Sequence, residues 1–136
     1  MSSGVIKLKV ITPQGLALEE NISSVKLPAS DGQIGVLAQH ERYVSILGIG
    51  VVEFESLESK QIKKFVVSQG FCNVDDDTLI LLADKVIMQG QIKREDLISE
   101  RETVKLVLSN SSPDSSEWML ASKRLSELEA AEICFN

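Results

Sequence analysis

Histidine occurs once, at position 40, and cysteine twice, at positions 72 and 134. A metal centre needs several imidazole, thiolate or carboxylate ligands at close spacing. No CxxC and no cysteine or carboxylate at ligand spacing from His40 is present, so no metal site is expected. No serine or threonine has a His–Asp arrangement to serve as its base. Gly48-Ile49-Gly50 runs into a strand-like stretch and not a helix, which excludes a phosphate loop there. Aromatic residues make up 4% of the chain against 43% hydrophobic, so the core must be built from Val, Ile and Leu. Basic charge is also short. Fourteen Lys and Arg stand against twenty Asp and Glu, for a net charge of −6. That argues against nucleic acid, whose affinity rests on neutralised phosphates, and more weakly against direct binding to anionic lipid. No apolar run approaches the roughly 18 residues of a membrane helix, and MSSGVIKLKV passes straight into an alternating pattern with no signal-peptide segment. Nothing here supports an enzyme. Membrane association is expected only indirectly, through partners, and two distant cysteines suit a reduced compartment.

What is present is alternation. A length of 136 residues suits one domain, or a small domain with an appendage. Ile6, Leu8 and Val10 oppose Lys7 and Lys9, the mark of a half-buried strand. Thr12-Pro13-Gln14-Gly15 reads as a turn. Leu16–Glu19 and Ile22–Leu27 read as two short strands, the second ended by Pro28, which cannot donate to a ladder. Asp31-Gly32 is a turn signal and Gly35-Val36-Leu37 a short strand. Polar Gln39–Arg42 precedes apolar Tyr43–Leu47, and Gly48 and Gly50 punctuate the approach to a strand over Val51–Glu55. Ile62–Ser68 is another strand. Gln69-Gly70 reads as a tight turn into Phe71–Val74, Asp75-Asp76-Asp77 as a further turn, and Thr78–Ala83 as a strand buried on both faces. Short strands at this regular spacing predict an antiparallel β-sandwich or barrel.

The character changes near Lys85–Gln91. Leu97, Val104 and Leu108, with Ile98 beside them, fall at helical spacing, interrupted by Arg101. Ser109–Pro113 is a break. Asp114 with Glu117 three residues on predicts a capped second helix, and Ser112 with Pro113 at the first helical position is an alternative start. Trp118, Ala121, Leu125 and Leu128 form its stripe. The expected architecture is mainly β with an α tail: a β-sandwich domain over 1–88, then an antiparallel two-helix hairpin over 89–136. The stripes are narrow, so the hairpin is expected to dock loosely on the sandwich.

Leu27–Phe54 holds His40 on a polar loop that leaves and re-enters the sheet, a surface suited to a partner. Asp75–Asp77 is expected to be a solvated hairpin turn, not a cation loop. Cys72 is expected to be a small buried hydrophobe, and Trp118 to pack within the hairpin.

The order SDGQIGVL, His40, ILGIGVVEF, FVVSQGFCNV and TLILLADKV, followed by a helical hairpin, resembles the epsilon subunit of F-type ATP synthases over essentially the whole chain. The resemblance implies a non-catalytic rotor subunit in the central stalk. The sandwich would sit on the gamma subunit and the ring of membrane c-subunits, and the hairpin would fold beside it or extend along gamma and inhibit ATP hydrolysis. The loop facing the c-ring is matched at Asp31, Gly32 and His40, with Gln33 where an acidic residue is common and Ala38-Gln39 in place of Pro-Gly. The nucleotide motif, through which some members bind ATP as a regulatory ligand, is matched at Leu97 and Arg101 only; Ile98 replaces its Asp and Glu102 its Ala. Inhibition is attributed to basic residues on the second helix meeting the catalytic beta subunit, within the alpha/beta sector. Here those are Lys123 and Arg124, among Glu117, Glu127, Glu129 and Glu132. With the lack of a leader and the reduced-type cysteines, the resemblance implies the cytoplasmic face of the bacterial inner membrane. A free-standing small-ligand or nucleotide-binding module on the same plan is the alternative.

Overall fold

The structure, a computed structural model, describes residues 4–29, 32–37 and 42–135; at positions 29, 32–34, 36 and 37 only the backbone is described. The strands are β1 (Ile6–Thr12), β2 (Gly15–Ala29), β3 (Gly32–Leu37), β4 (Tyr43–Ser56), β5 (Ile62–Asp75) and β6 (Thr78–Ile87), followed by α1 (Arg94–Asn110) and α2 (Ser116–Phe135). The strand order β1-β6-β5-β4-β2-β3, with an added β1–β2 pairing, closes five strands into a ring and leaves β3 on the flank of β2. All pairings are antiparallel except β1 with β6, which is parallel. Closure removes the free edges that an open sheet would carry on both sides.

Alternation builds this ring. Ile6, Leu8 and Val10 point inward with Ile22, Val25 and Leu27 of β2, Phe54 of β4 and Phe65 of β5. Phe54 and Phe65 meet edge to face with centroids 6.1 Å apart. Lys7 faces solvent and pairs with Glu19 across the β1–β2 hairpin at 3.0 Å.

Several segments that read as pairs of short strands are single long ones. β2 runs through Pro28, and the missing donor is accommodated where pairing with β4 lapses, between Lys26 and Ala29. Tyr43–Leu47 and Val51–Glu55 join as β4. Gln69-Gly70 is not a turn: β5 continues through it, with Gln69 at φ 59° and Gly70 at φ 154°. Asp75–Asp77 does form a hairpin turn, with Asp76 at φ 54°.

The long strands change face partway. Inward residues on β4 are Leu47 and then Val52 and Phe54. On β5 they are Phe65 and Val67, then Cys72 and Val74. On β6 they are Leu79, Leu81 and Ala83, then Val86 and Met88 beyond the strand's end. The parity switches on all three strands beside one cross-strand row, Leu47–Gly70–Ala83. This crease divides the outer face of β4–β6 in two. On one side the row Val51–Val66–Ile87 lies under the helices; on the other the row Ile46–Phe71–Leu82 is exposed.

The hairpin is seated more firmly than its narrow stripes predict. Leu128 and Ala131 are fully buried, with Ala121, Ala130, Leu97 and Val104 nearly so, against Val66 and Ile87. The alanines explain the difference, since a methyl lets a helix approach a sheet closely. The second helix starts at Ser116. Its cap is Ser115, whose Oγ accepts from the Trp118 amide at 3.1 Å, in place of Asp114 or Ser112.

A Cβ on Gly70 would lie 1.9 Å from the Leu82 carbonyl oxygen. Neither atom belongs to a movable side chain, so Gly70→Ala must push β5 and β6 apart. The expected loss is about 2 kcal/mol or more of unfolding free energy, measured by urea denaturation. Wild-type stability in that variant would show that the crease is not held by close backbone contact.

Candidate functional site

Two surfaces flank the crease. The first is a polar latch beneath α2. Glu127 is 3% exposed and Ser68 1% exposed. Ser68 Oγ donates to Glu127 Oε2 at 2.5 Å, Lys85 Nζ reaches Oε1 at 3.3 Å, and Arg124 donates to Oε1 at 3.0 Å. Arg124 also grips Glu100 of α1 with two bonds, from Nε at 2.6 Å and from its second terminal nitrogen at 2.9 Å. The latch thus joins β5, β6, α1 and α2. Burial works to raise the Glu127 carboxyl, but the Ser68 and Arg124 hydrogen bonds and the Lys85 charge outweigh it and hold it below the usual carboxylate range. The Arg124 hydrogen bond likewise lowers Glu100, and its carboxylate in turn raises Arg124.

The second surface is apolar and open. Val44 is 70% exposed, Ile46 58%, Phe71 54% and Leu82 48%. Ile46, Phe71 and Leu82 are direct cross-strand neighbours, and half-buried Ile11 of β1 extends the row beyond Leu82. Scattered exposed apolar residues are ordinary, but neighbours in one row form a patch.

The residues singled out in the sequence are dispersed. Asp31 and His40 lie outside the described residues; Gly32 and Gln33 pair with Ala29 and Pro28 at the start of β3. Leu97 is buried in the hairpin core. Arg101 donates to Glu132 Oε2 at 2.5 Å, and its Nε is enclosed without a partner among the described residues. Arg124 belongs to the latch, whereas Lys123 has no ion pair among the described residues. Sequence reasoning names Glu127 only as an acid near Arg124, and Ser68 only as the end of a strand. The one available signal is that Glu127 sits beside Leu128, on the edge of the apolar stripe.

Neither thiol is poised for chemistry. Burial raises Cys72 and pushes Cys134 up to about 11. Among the described residues no cluster of His, Cys, Asp or Glu is placed to hold a metal ion, and no helix is long and apolar enough to cross a membrane. The arrangement suits protein–protein contact and a reversible internal clasp.

Residues 5–89 match the family model for the ATP synthase delta/epsilon chain β-sandwich domain. The chain is 26% identical over 113 residues to the ATP synthase epsilon chain of Campylobacter curvus, covering 83% of this chain and 87% of that one. It is 31% identical over 107 residues to the epsilon chain of a Nitratiruptor species, covering 78% and 82%. Its fold is similar to a chain in the cryo-EM structure of Euglena gracilis mitochondrial ATP synthase (OSCP/F1/c-ring), with TM-score 0.83, 24% identity, and coverage of 98% of this chain and 82% of that one. A chain of the Tetrahymena thermophila central stalk/c-ring structure shares it at TM-score 0.59 and 12% identity, over 96% of each.

A carboxylate lowered on folding contributes stability above its unfolded pKa, and that stability is lost as pH falls through the folded value. For Glu100 and Glu127 the loss therefore falls below the usual glutamate range. Protection factors of the α2 amides, with intrinsic exchange rates divided out, should fall as pH drops below the usual glutamate range. At neutral pH, Glu127→Ala strands Ser68 without its acceptor and should speed α2 exchange by about tenfold or more. Unchanged α2 exchange in Glu127→Ala would remove the latch as the element that seats the hairpin.

Proposed function

The chain belongs to the ATP synthase delta/epsilon family, and from that premise we propose how this epsilon chain, a non-catalytic central-stalk subunit of an F-type ATP synthase, uses its two surfaces. The β domain, residues 1–88, docks on the gamma subunit through the exposed row Val44, Ile46, Phe71 and Leu82. The segment with Asp31, Gly32, Gln33 and His40 faces the c-ring. The hairpin, residues 89–136, is regulatory. The observation that carries this reading is the contiguous apolar row on the outer face of a closed sheet, where a second protein can bury it.

The latch specifies how the hairpin would act. While α2 lies on the sheet, Arg124 is committed to Glu100 and Glu127. Both partners belong to the hairpin, so it becomes available to an acidic stretch of a catalytic subunit only after α2 separates from α1. Lys123 and Arg124 therefore act as inhibitory contacts in the extended hairpin, and the folded hairpin is the permissive state. Such a brake requires the two positions to lie within a few kcal/mol, with partners biasing them differently. Leu97 is buried and Arg101 is paired with Glu132. Regulatory ATP would have to displace Glu132 from Arg101. The bacterial relatives support a peripheral position on the cytoplasmic face of the inner membrane, held through the c-ring.

Phe71 is at the centre of the row. In a binding titration with an ATP synthase catalytic sector stripped of its epsilon chain, Phe71→Ala should weaken association by about 10- to 100-fold and leave the circular dichroism spectrum unchanged. Equal affinity of the variant and wild type would move the docking surface elsewhere. No binding by wild type would favour a free-standing ligand-binding module.

A further inference from the structure

We propose that the crease at Gln69–Gly70 couples the two outer surfaces, so that seating of α2 on Ser68 and engagement of the Ile46–Phe71–Leu82 row are energetically linked. The inference rests on the docking role proposed for that row.

Ser68 is held by Glu127 of α2 at 2.5 Å. Phe71, the centre of the exposed row, is three residues further along the same strand. Only Gln69 and Gly70 separate them, and Gln69 sits at φ 59° within a strand. A non-glycine residue in that region is strained, and an extended well is available to it. The crease also reaches the neighbouring strand. A Cβ on Gly70 would lie 1.9 Å from the Leu82 carbonyl oxygen, so the β5 backbone is pressed against β6 at a row residue. β6 repeats the arrangement: Leu82 lies in the row, and Lys85, three residues on, reaches Glu127 at 3.3 Å. Two adjacent strands thus each carry one latch residue and one row residue on opposite sides of the same crease.

Three residues of strand span about 10 Å. A partner bearing on Phe71 and Leu82 loads the Gln69 and Gly70 dihedrals, and those dihedrals set where Ser68 presents its hydroxyl. Linkage makes the effect reciprocal: release of Glu127 from Ser68 must change the row's affinity by the factor with which the partner changes hairpin seating. Gln69 is the two-state element that such coupling requires.

The test has two arms. In the isolated full chain, the amide NMR signals of Ile46, Phe71 and Leu82 are compared with and without Glu127→Gln. They should shift in the wild-type background, remain still in a Gln69→Gly background, and shift again with Gln69→Asn, a residue that tolerates the left-handed region. No shift in wild type, or the same shift with Gln69→Gly, overturns the coupling. In the second arm the full chain binds the epsilon-depleted catalytic sector and α2 amide exchange is measured. Binding should change exchange by about fivefold or more in wild type and by less than about twofold in Gln69→Gly. An equal change in both overturns the coupling. If wild type does not bind at all, the docking reading fails, and the isolated-chain arm still decides the crease.

Discussion

Everything outside the barrel depends on where three long strands change face. A fourteen-residue strand extends about 45 Å, much further than a core built from Val, Ile and Leu needs to be. β4 and β5 each have that length. Strict alternation would carry one parity inward from end to end. Instead the parity reverses on β4, β5 and β6 beside the row Leu47–Gly70–Ala83, where the ladders skip Gly48, Gln69 and Asp84 and resume in the same register. Both halves can then close on the barrel interior as the sheet coils. The outer face, freed from that duty, is divided into a half that seats helices and a half that stays open. Glycine makes this possible at Gly70, where the backbones touch, and at Gly50, where a Cβ would lie 2.7 Å from the Pro28 side chain.

On the covered half, packing and polarity do different work. Val51, Val66 and Ile87 give α2 an apolar floor, and Leu128 with Ala131 fills it. Such a floor favours burial but does not choose among registers one turn apart. Glu127 does choose, because Ser68 and Lys85 meet it at one position only. A buried carboxylate adds little net stability over an apolar residue of similar size, but displacing it without its partners is costly. The arginine completes the arrangement by tying α1 to the same carboxylate, so that the closed latch holds the two helices together.

Much of this was legible in the sequence. Alternation over Ile6–Val10 and the helical stripes gave real elements, because both depend on local periodicity. The change near Lys85–Gln91 marked the passage from sheet to helix for the same reason. Gly48, Gly50 and Gln69-Gly70 were also visible as interruptions. Whether an interruption turns the chain back or creases a continuing strand depends on which strands pair across it, and pairing is tertiary. The exposed row was lost with it. Continuing the Phe65 and Val67 parity would place Phe71 inward, and only the crease puts it outside. Small residues misled as well. Ala130 and Ala131 count little in a search for large apolar stripes, yet they bring α2 close enough for Glu127 to reach Ser68. The expected c-ring contacts at Asp31 and His40 stay with the sequence pattern, since those residues lie outside the described ones.

The composition of the covered face suits the release of the hairpin proposed above. Exposing a leucine-rich seam to water is costly, roughly 25 cal/mol for each square ångström of apolar surface. α2 fully or nearly buries three alanines and one leucine in that cluster, with Leu125, Cys134 and Phe135 only partly buried beside them, so the surface it would expose is modest for a twenty-residue helix. Polar contacts add to that hold. Ser68, Lys85, Glu127 and Arg124 can each take water in place of one another once separated. A clasp of this kind gives one register when closed and a modest penalty when open, whereas a fully apolar seam would tend to lock the helix in place or drive the exposed face to aggregate. The open half of the sheet has the opposite character. The side chains of Val44, Ile46, Phe71 and Leu82 offer no polar group for water to recover, which fits the permanent docking role proposed for that surface.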